Sequence, residues 1–422
     1  MSKQLKTKIP VAGVLKRKEI FKPAKVKIKI IGIGGGGGSI VSEMAEELKG
    51  FNFLVADTDQ RSFQGLPARV KIFEFGQELT KGWGTGMNPE IGEKAALQAK
   101  EKIKKIIQNT DLIILISCLG GGIGSGALPV FARILNDEKK LCLGIFALPF
   151  NFEGEKKAQM AQDALKNLKE NLSGMIVLSN EEILKQSEKK IPLKKSLALM
   201  NCVLIDYLRD LMEVIFQTGI INIDFADLRT ILGGRSQKVF LGRALGQGLN
   251  KTEEALKELF ENPFFAFSEQ KQPSIKKILL NISGGSDLTL KEVEKIGERI
   301  SELNFNAKII FGFSRFPKYD KKLKITFLGT SENFFEKEKA IEFEKQEVKK
   351  EMNKKINKEI EQEVQIKQKN AGKEEKKIEK KIKIRRSALE VKKTKQEAKE
   401  EEWEKELDWE TPSFLRKKIK DE

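Results

Sequence analysis

Short apolar runs that alternate with amphipathic stretches predict an α/β fold in the first half of the chain. Val26–Ile33 alternates and then becomes wholly apolar, as a buried parallel strand does, and Leu112–Leu119 is a second such run. A helical pattern follows each strand, over Ser39–Leu48 and over Ala127–Leu135. Between Leu193 and Thr218 apolar residues recur at helical spacing, which predicts one long, largely buried helix that links two domains.

The pattern changes twice more towards the C-terminus. Four segments alternate as strand, helix, strand and strand, which predicts a second domain of the α+β class: Lys276–Gly284, Asp287–Leu303, Ala307–Phe313 and Lys322–Leu328. From Ser331 onwards Glu and Lys crowd together, and this composition is typical of a solvated linker. A coiled coil is the alternative, but apolar residues recur here at every fourth position and therefore drift around the helix.

Composition excludes several classes of function. The chain has 422 residues, of which 40% are apolar, and it has no histidine, so catalysis by imidazole is excluded. The three cysteines lie far apart in apolar surroundings without metal-ligand spacing, so we predict neither a disulfide nor a metal site built from side chains. No apolar run is long enough to span a membrane and no signal peptide is visible, which predicts a cytoplasmic protein.

The net charge of +17 does not predict binding to nucleic acid. Basic residues in the middle of the chain are interleaved with Glu rather than with aromatic stacking platforms, which is typical of a solvated surface. Residues 1–25 carry eight basic residues and one acidic residue. This arm can contact an anionic lipid or another polyanion, but we favour a solvated, disordered segment.

A glycine-rich segment, Gly120–Gly126, lies between the second strand and its helix. Five of its seven residues are glycines, so its backbone N–H groups can turn inward and approach a ligand closely. The following helix adds free N–H groups and the positive end of its dipole. This arrangement favours a phosphate-binding site over a flexible loop, with Ser125 as the helix N-cap. The residues that we predict to hold phosphate are Gly121, Gly122, Ile123, Gly124, Ser125 and Gly126.

A second glycine-rich segment, Gly34–Gly38, follows the first strand and precedes the helix that we predict to begin at Ser39. It predicts a second phosphate cradle, made of Gly35, Gly36, Gly37, Gly38 and Ser39. Taken alone, a strand, a glycine loop and a helix equally suit a dinucleotide site, in which Asp57 or Asp59 after the next strand would bind ribose.

A third glycine-rich segment, Thr80–Gly92, removes this ambiguity. It opens a helix with Pro89 and Glu90 in the first turn. Three such segments converge on one ligand only if that ligand carries several phosphates. The sequence therefore favours a polyphosphate ligand over a dinucleotide.

These motifs together resemble the tubulin family, and in particular its FtsZ branch. Gly120–Gly126 is similar to the signature Gly-Gly-Gly-Thr-Gly-Thr-Gly, with Ile123 and Ser125 in place of the threonines. Thr80–Gly92 resembles the FtsZ loop Gly-Leu-Gly-Ala-Gly-Ala-Asn-Pro-Glu. The resemblance covers roughly residues 26–330. It implies a tubulin/FtsZ-like, Rossmann-type GTPase domain with GTP as the substrate and Mg²⁺ as the cofactor.

The resemblance also implies roles on the ribose and base sides of the nucleotide. Pro149–Gly154 matches the segment whose glutamate, here Glu153, holds the ribose, and Lys157 stands where the family has arginine. Asn180 and Asn201 match residues of the base pocket. Three positions depart from the family pattern: Ser39 replaces an asparagine, Leu197 a phenylalanine and Cys202 an aspartate. The strength of the guanine preference therefore does not follow from the sequence.

An Asn-x-Asp-x-x-Asp pattern follows the long helix, at Asn222, Asp224 and Asp227. Taken alone, the two carboxylates would be a helix N-cap and a first-turn acid. In the tubulin family this loop is inserted into the nucleotide site of the neighbouring subunit, where the carboxylates orient a water towards the γ-phosphoryl group. The resemblance therefore implies that Asn222, Asp224 and Asp227 are catalytic and that hydrolysis requires a polymer.

Apolar residues reappear at the end of the charged tail. Leu407–Lys418 contains Trp409, Phe414 and Leu415 beside basic residues, which is the composition of a short docking peptide. It resembles the C-terminal peptide of FtsZ, with two extra residues before the proline. The resemblance implies a membrane tether or division proteins as partners.

We therefore expect a GTPase that polymerises head to tail and forms the cytokinetic ring at the division site, on the inner face of the cell membrane and without inserting into it. A non-catalytic filament scaffold is the alternative, because the family pattern is altered at Asp57, where the family has asparagine, and at Ile123, Lys157 and Cys202. A nicotinamide dehydrogenase is a third hypothesis, but it explains neither the later glycine segments nor Asp224 and Asp227.

The domain boundaries that we predict are a basic disordered arm at 1–25, a GTP-binding domain at 26–190, a central linking helix at 191–220, a C-terminal α+β domain at 221–330, a charged linker at 331–406 and a docking peptide at 407–422.

Overall fold

The computed structural model describes residues 26–180, 193–216, 219–261, 275–303 and 306–331, and four residues near position 390. The chain divides into two units, Met1–Phe335 and Glu336–Glu422, and the strands and helices described below belong to the first. Three predicted segments lie outside the described residues: the arm at 1–25, the linker beyond Ser331 except for those four residues, and the docking peptide. In the described part of the chain, no helix is both long and apolar enough to cross a membrane.

One sheet runs through the first unit and contains ten strands in the described ranges. The strands are β1 Ile28–Ile33, β2 Asn52–Asp57, β3 Val70–Glu74, β4 Leu112–Cys118, β5 Leu141–Leu148, β6 Gly174–Ser179, β7 Gln237–Gln247, β8 Lys277–Gly284, β9 Lys308–Arg315 and β10 Lys322–Ser331. Their order is β3-β2-β1-β4-β5-β6-β7-β10-β8-β9. The first six are parallel, as the wholly apolar runs predict.

The two halves of the sheet join at β6 and β7 through a short parallel pairing, with Gly174 opposite Gln237 and Met175 opposite Lys238. Beyond this seam, β10 pairs antiparallel with both β7 and β8, and β9 is parallel to β8. The second half is therefore a mixed sheet, in agreement with the predicted α+β domain.

Helices cover the sheet and connect its strands. They are α1 Gly34–Glu47, α2 Gln77–Thr80, α3 Pro89–Gln98, α4 Lys100–Ile107, α5 Leu128–Asp137, α6 Glu155–Lys169, α7 Leu193–Phe216, α8 Phe225–Ile231, α9 Lys251–Glu261 and α10 Leu290–Leu303. The predicted long helix corresponds to α7, whose 24 residues extend over about 36 Å.

The alternation of side chains along β4 places apolar residues on both faces of the sheet. Leu112, Ile114 and Ile116 belong to a core that α1 and α7 cover, whereas Ile113 and Leu115 belong to a core that α3, α4, α5 and α6 cover. All five side chains are fully buried. A third core fills the second half of the sheet beneath α9 and α10.

Two predicted helix starts are wrong, and for the same reason. The helix after β1 begins at Gly34 rather than Ser39, and helical backbone after β4 begins at Gly122, with a wide π-type turn over Ile123–Ala127 that runs into α5. Glycine has a low intrinsic helix propensity, but close packing of the glycine backbones against neighbouring strands outweighs it. Ser125 is therefore inside a helical turn and is not an N-cap; its Oγ accepts a hydrogen bond from the Gly120 N–H at 2.9 Å.

A buried cluster of charges joins α7 to the second half of the sheet. Lys324 on β10 has only 1% of its side chain exposed, and its Nζ contacts Asp210 Oδ1 at 2.8 Å and Glu213 Oε2 at 2.5 Å. Arg243 on β7 donates from Nε to Asp210 Oδ2 at 2.6 Å. Buried charges are tolerated when they are paired in this way, so the cluster determines how α7 sits on the second domain.

We expect Lys324→Met to lower the free energy of unfolding by about 3–5 kcal/mol, because it removes a cation that Asp210 and Glu213 both need in a buried environment. Chemical denaturation measures this quantity. Lys322→Met is the matched control, since Lys322 is exposed on the same strand, and it should change the value by less than about 0.5 kcal/mol. Equal effects of the two substitutions would contradict the role assigned to the buried cluster.

Candidate functional site

The order of the parallel strands reverses between β1 and β4, and the glycine segments follow these two strands. In an open α/β sheet the carboxyl ends of the strands at such a reversal form the usual ligand crevice. β1 ends at Ile33 and leads directly into α1, whereas β4 ends at Cys118 and leads into the turn that begins α5. Both helix N-termini therefore lie at the same crevice and offer backbone N–H groups to an anion.

The third glycine segment packs directly on the segment after β4. Asn88 caps α3 by accepting a hydrogen bond from the Glu90 N–H at 2.9 Å, and Pro89 is the first residue of the helix, as predicted. A Cβ atom on Gly126 would overlap the backbone oxygen of Pro89, and one on Gly122 would overlap Thr85. The segments at 80–92 and 120–126 can approach this closely only because both positions lack a side chain.

The segment after β1 is also packed closely. A Cβ atom on Gly36 would lie 2.6 Å from Cys118 Sγ, and one on Gly37 would overlap the backbone oxygen of Ile116. A Cβ atom on Gly34, where φ is +76°, would lie 3.4 Å from a methyl carbon of Ile123. All three glycine segments therefore lie together, as predicted, and most of their glycines are required by packing inside the protein.

Gly35 and Gly121 differ from the other glycines of the predicted site. A Cβ atom on Gly121 would meet nothing within 4 Å, and one on Gly35 would meet only Ser62 Oγ, at 3.6 Å. Neither residue has the positive φ that favours glycine. Because packing and backbone conformation do not require glycine at these two positions, they are the ones where a ligand can explain the absence of a side chain.

The predicted ribose-side residues form an ion pair beside the β4 segment. Glu153 Oε2 and Lys157 Nζ are 2.8 Å apart, and Glu153 Oε1 accepts a hydrogen bond from the Phe150 N–H at 2.9 Å. Burial alone would raise the pKa of Glu153, but the Lys157 ammonium and the Phe150 N–H outweigh it and lower that pKa. A Cβ atom on Gly120 would lie 3.0 Å from the backbone oxygen of Lys157, so the pair adjoins the glycine crevice.

The predicted base-side asparagines are buried and incompletely hydrogen bonded. Asn180 directly follows β6, Asn201 lies on α7, and the Oδ1 atom of each is buried without a partner. Asn201 donates from Nδ2 to Glu43 Oε2 on α1 at 2.7 Å. Glu43 was not among the predicted site residues, although its four-residue spacing from Ser39 places both residues on one face of α1.

The other residues at altered positions have different environments. The Ser39 hydroxyl donates to the backbone oxygen of Gly35 at 3.1 Å, Cys202 is exposed, and Ile123 is buried in the core with 7% exposure. Leu197 is on α7, but its side chain lies outside the described residues.

Asp57 is a buried carboxylate at the carboxyl end of β2, one strand away from the crevice. Its Oδ1 accepts hydrogen bonds from the Thr58 N–H at 2.7 Å and the Asp59 N–H at 3.2 Å. Burial raises the pKa of Asp57 in spite of these bonds and of a bond from Ser62. The neighbouring Asp59 differs, because its hydrogen bond with Arg61 lowers its pKa.

The predicted catalytic residues lie at the opposite edge of the sheet. Asp224 caps α8 and Asp227 lies in its first turn, and further along this helix Arg229 lines a cleft with Asp111 and Leu141, which precede β4 and begin β5. The seven residues of β4 span about 20 Å between this amino edge and the glycine crevice. The structure therefore does not bring Asp224 and Asp227 together with the phosphate cradle of the same chain.

The two carboxylates hold each other in place at the start of α8. The Asp227 N–H donates to Asp224 Oδ1 at 2.9 Å and the Asp224 N–H donates to Asp227 Oδ2 at 3.0 Å, which is a reciprocal capping box. Asn222 Oδ1 accepts from the Gly219 N–H at 2.5 Å. The preceding loop is fixed to β9 by a bridge between Ile221 and Phe313. The capping role that the sequence allowed is therefore present in the chain.

Family models match both halves of the sheet. Residues 27–188 match the GTPase domain of the Tubulin/FtsZ family, and residues 238–332 match the C-terminal domain of the FtsZ family. Together with the strand order and the glycine crevice, these matches define the class of the protein as a tubulin-like GTPase with the two-domain Tubulin/FtsZ fold.

Comparison with individual relatives narrows the class. The cell division protein FtsZ of Coxiella burnetii is 32% identical to this chain over 310 residues, which are 73% of this chain and 79% of the relative. FtsZ of Pseudomonas putida is 33% identical over 310 residues, which are 73% of this chain and 77% of the relative. An empty FtsZ dimer from M. jannaschii superposes with a TM-score of 0.63 at 29% identity, covering 73% of this chain and 89% of that one. The chain belongs to the FtsZ family of tubulin-like GTPases involved in cell division.

We expect Asp57→Asn to stabilise the protein at pH 7, because the raised pKa of Asp57 means that its ionised form is disfavoured in the folded state. In the wild type, the contribution of Asp57 to the free energy of unfolding is largest below about pH 4, its pKa in an unfolded chain. This contribution is lost as the pH rises through the higher pKa that Asp57 has in the folded protein. The advantage of the variant in free energy of unfolding should therefore shrink when the pH is lowered towards 4.

Asp59→Asn is the matched control with the opposite sign. Because the pKa of Asp59 is lowered by Arg61, its ionised form supports folding above about pH 4, so this variant should be less stable than the wild type at pH 7 and should match it at low pH. Denaturation at several pH values measures both differences. A stability gain for Asp57→Asn that is independent of pH would contradict the explanation by ionisation.

Proposed function

We propose that the chain binds GTP in the glycine crevice and hydrolyses it only when a second copy inserts Asp224 and Asp227 from its own opposite edge. The observation that carries this proposal is that Arg229 of α8 lines a cleft at the amino ends of β4 and β5, whereas the glycine segments follow the carboxyl ends of β1 and β4, and β4 itself is about 20 Å long. A carboxylate must lie within hydrogen-bonding reach of the attacking water, so these residues can act only on the nucleotide of another subunit.

A phosphate cradle at one edge and carboxylates at the other define a head-to-tail contact, and such contacts propagate into open filaments. Exposed apolar side chains near both edges support it. Trp83 is 72% exposed and Phe152 71% beside the crevice, whereas Ile220 is 63% exposed and Ile221 48% in the loop before α8. The M. jannaschii relative is described as a dimer, which also supports self-association.

The proposed chemistry requires little rearrangement of the carboxylate loop. Asp224 and Asp227 are each other's caps, and each carboxylate retains an oxygen for a water that lies in line with the γ-phosphoryl group. Asn222 supports the loop through Gly219. Backbone N–H groups beside Gly35 and Gly121 hold the phosphates, and Glu153 with Lys157 holds the ribose.

Mg²⁺ enters this proposal with the nucleotide. Among the described residues there is no group of three or more Asp, Glu, Cys or His side chains that could hold a metal ion. An ion that is carried mainly by phosphate oxygens and water does not need such a group of side chains. Such an ion neutralises phosphate charge during hydrolysis.

We also propose that the protein acts in the cytoplasm, at the inner face of the cell membrane, where its filaments form the cytokinetic ring. The docking peptide at Leu407–Lys418 would connect the filament to a membrane tether or to other division proteins, without insertion into the lipid and without a nucleic-acid partner. The support is the composition of the tail and the membership of the FtsZ family.

A non-catalytic filament scaffold is the second candidate, and two observations favour it. The capping box gives Asp224 and Asp227 a structural role that requires no catalysis. Ile123 also brings no hydroxyl to the phosphates, because its side chain is purely aliphatic. A scaffold would bind GTP and polymerise without turnover.

We expect Gly121→Ala to weaken GTP binding roughly ten- to hundredfold without loss of stability, because the added methyl group enters space that packing leaves open and a phosphate would fill. Gly297→Ala is the control, since Gly297 is in α10 and a Cβ atom there also meets nothing within 4 Å. Titration with GTP compares the variants. Unchanged affinity of Gly121→Ala would show that phosphate does not approach this backbone.

We expect Asp227→Asn to suppress GTP turnover at least about a hundredfold while GTP binding is retained. Asparagine keeps an oxygen that can accept from the Asp224 N–H, so the cap of α8 is preserved and only the charge is lost. Asp163→Asn removes an exposed carboxylate from α6 and should leave turnover unchanged.

Turnover per subunit should be measured over a range of protein concentrations. A site that two subunits share becomes active only above the concentration at which polymers form. An Asp227→Asn variant that hydrolyses GTP at the wild-type rate would support the scaffold, or a site elsewhere, and would contradict the shared site.

A further inference from the structure

We infer that the Ser62 hydroxyl is a phosphate contact of the glycine crevice and that a proton on Asp57 turns this hydroxyl towards the nucleotide. Nucleotide binding then takes up a proton from the solvent. This inference rests on the proposed function, because it assumes that a nucleoside triphosphate occupies the crevice. It adds two residues to the site that belong to none of the glycine segments.

Ser62 borders the open space in front of Gly35. Outside its own helix, a Cβ atom on Gly35 would meet one atom within 4 Å, which is Ser62 Oγ at 3.6 Å. Gly35 lies in the first turn of α1, where the backbone N–H groups have no partner within the helix. A phosphate that binds these N–H groups is therefore within reach of the Ser62 hydroxyl. The Ser62 side chain is half-buried, so a ligand can approach one side of it.

A short 3₁₀ turn, Gln60–Phe63, holds Ser62 in this position directly after β2. The Ser62 N–H donates to the backbone oxygen of Asp59 at 3.1 Å, and Asp59 Oδ1 accepts from the Arg61 N–H at 2.9 Å. The turn is anchored because Phe63 packs on the core that α1 covers. The hydroxyl therefore faces Gly35 from a fixed backbone.

The same hydroxyl is hydrogen bonded to the carboxyl group of Asp57, which is only 3% exposed. A hydroxyl has one proton and can donate in one direction at a time. Ionised Asp57 can only accept, so Ser62 then donates to it and presents lone pairs that oppose a phosphate. Protonated Asp57 donates to Ser62 Oγ instead, and the Ser62 proton becomes available to a phosphate oxygen.

The charges around Asp57 favour the protonated form beside a polyanion. On the following turn Asp59 is anionic and is paired with Arg61 at 2.7 Å, and on β3 the register partner of Asp57 is Glu74. Residues 34–41 of α1 and the last residues of β1 carry no charge. Burial already raises the pKa of Asp57, and a nearby phosphate would raise it further. A nucleotide therefore binds together with a proton.

Calorimetry of GTP binding to the full chain tests this coupling. The titrations are made with excess EDTA, so that no metal ion bridges phosphate and carboxylate, and in buffers with different enthalpies of ionisation between about pH 5.5 and about pH 8. At the pH of largest difference, the wild type should take up roughly half a proton to one proton more per nucleotide than Asp57→Asn. Asp59→Asn is the matched control, because it removes the same charge nearby and keeps the Asp57–Ser62 bond; it should retain the wild-type proton uptake.

The affinities separate the hydroxyl from the charge. Asparagine at position 57 can donate from Nδ2 to Ser62 at every pH, as protonated aspartate does. We therefore expect Asp57→Asn to bind GTP roughly tenfold tighter than the wild type near pH 8, with a difference that shrinks as the pH falls. Loss of the negative charge alone would also raise affinity, so the substitution is repeated in a Ser62→Ala background. There the gain should fall to about twofold.

The possible failures can be distinguished. Equal proton uptake by the wild type and Asp57→Asn would overturn the inference and leave the proposed function intact. A full tenfold gain in the Ser62→Ala background would overturn the role of the hydroxyl. A wild-type chain that binds no GTP at any pH would overturn the proposed function, and the inference with it. Chemical denaturation of each variant verifies that the chain is folded.

Discussion

The site depends on direct contact between backbones at the reversal of the strand order. Segments after β1 and β4 and before α3 pack on one another through Gly36, Gly37, Gly122 and Gly126, where any side chain would overlap a neighbouring residue. Such contact brings two helix N-termini to one crevice, so their free N–H groups act on the same ligand. Gly35 and Gly121 face open space instead, which separates the glycines that build the fold from those that admit a phosphate.

A chain of paired charges connects this crevice region to the second domain. Arg209 on α7 joins Glu47 of α1 to Asp206, Arg243 of β7 contacts both Asp206 and Asp210, and the buried Lys324 of β10 completes the chain. The long helix is therefore held to both domains by side chains that must keep their partners. It also leads to the loop that carries Asp224 and Asp227, which lies away from the crevice, and this separation is the physical reason for proposing a site shared between subunits.

Much of the fold follows from local sequence patterns. The apolar runs identified β1 and β4, helical spacing identified α7, and Pro89 with Glu90 marked the start of α3, because each pattern involves residues close together in the chain. The motif resemblance led to the FtsZ family, which the family models and relatives confirm. The phosphate, ribose and catalytic roles of individual residues stay predictions.

The sequence by itself therefore determined the elements, the family and the segments that carry the candidate chemistry. Tertiary structure alone decided that α1 begins at Gly34, that Ser125 accepts from Gly120 rather than capping a helix, and that Lys324 is buried. It also paired Glu43 with Asn201, 158 positions apart in the chain. Helix and strand periodicity report only which face of an element is apolar, whereas these contacts depend on how separate elements pack, which no local pattern encodes.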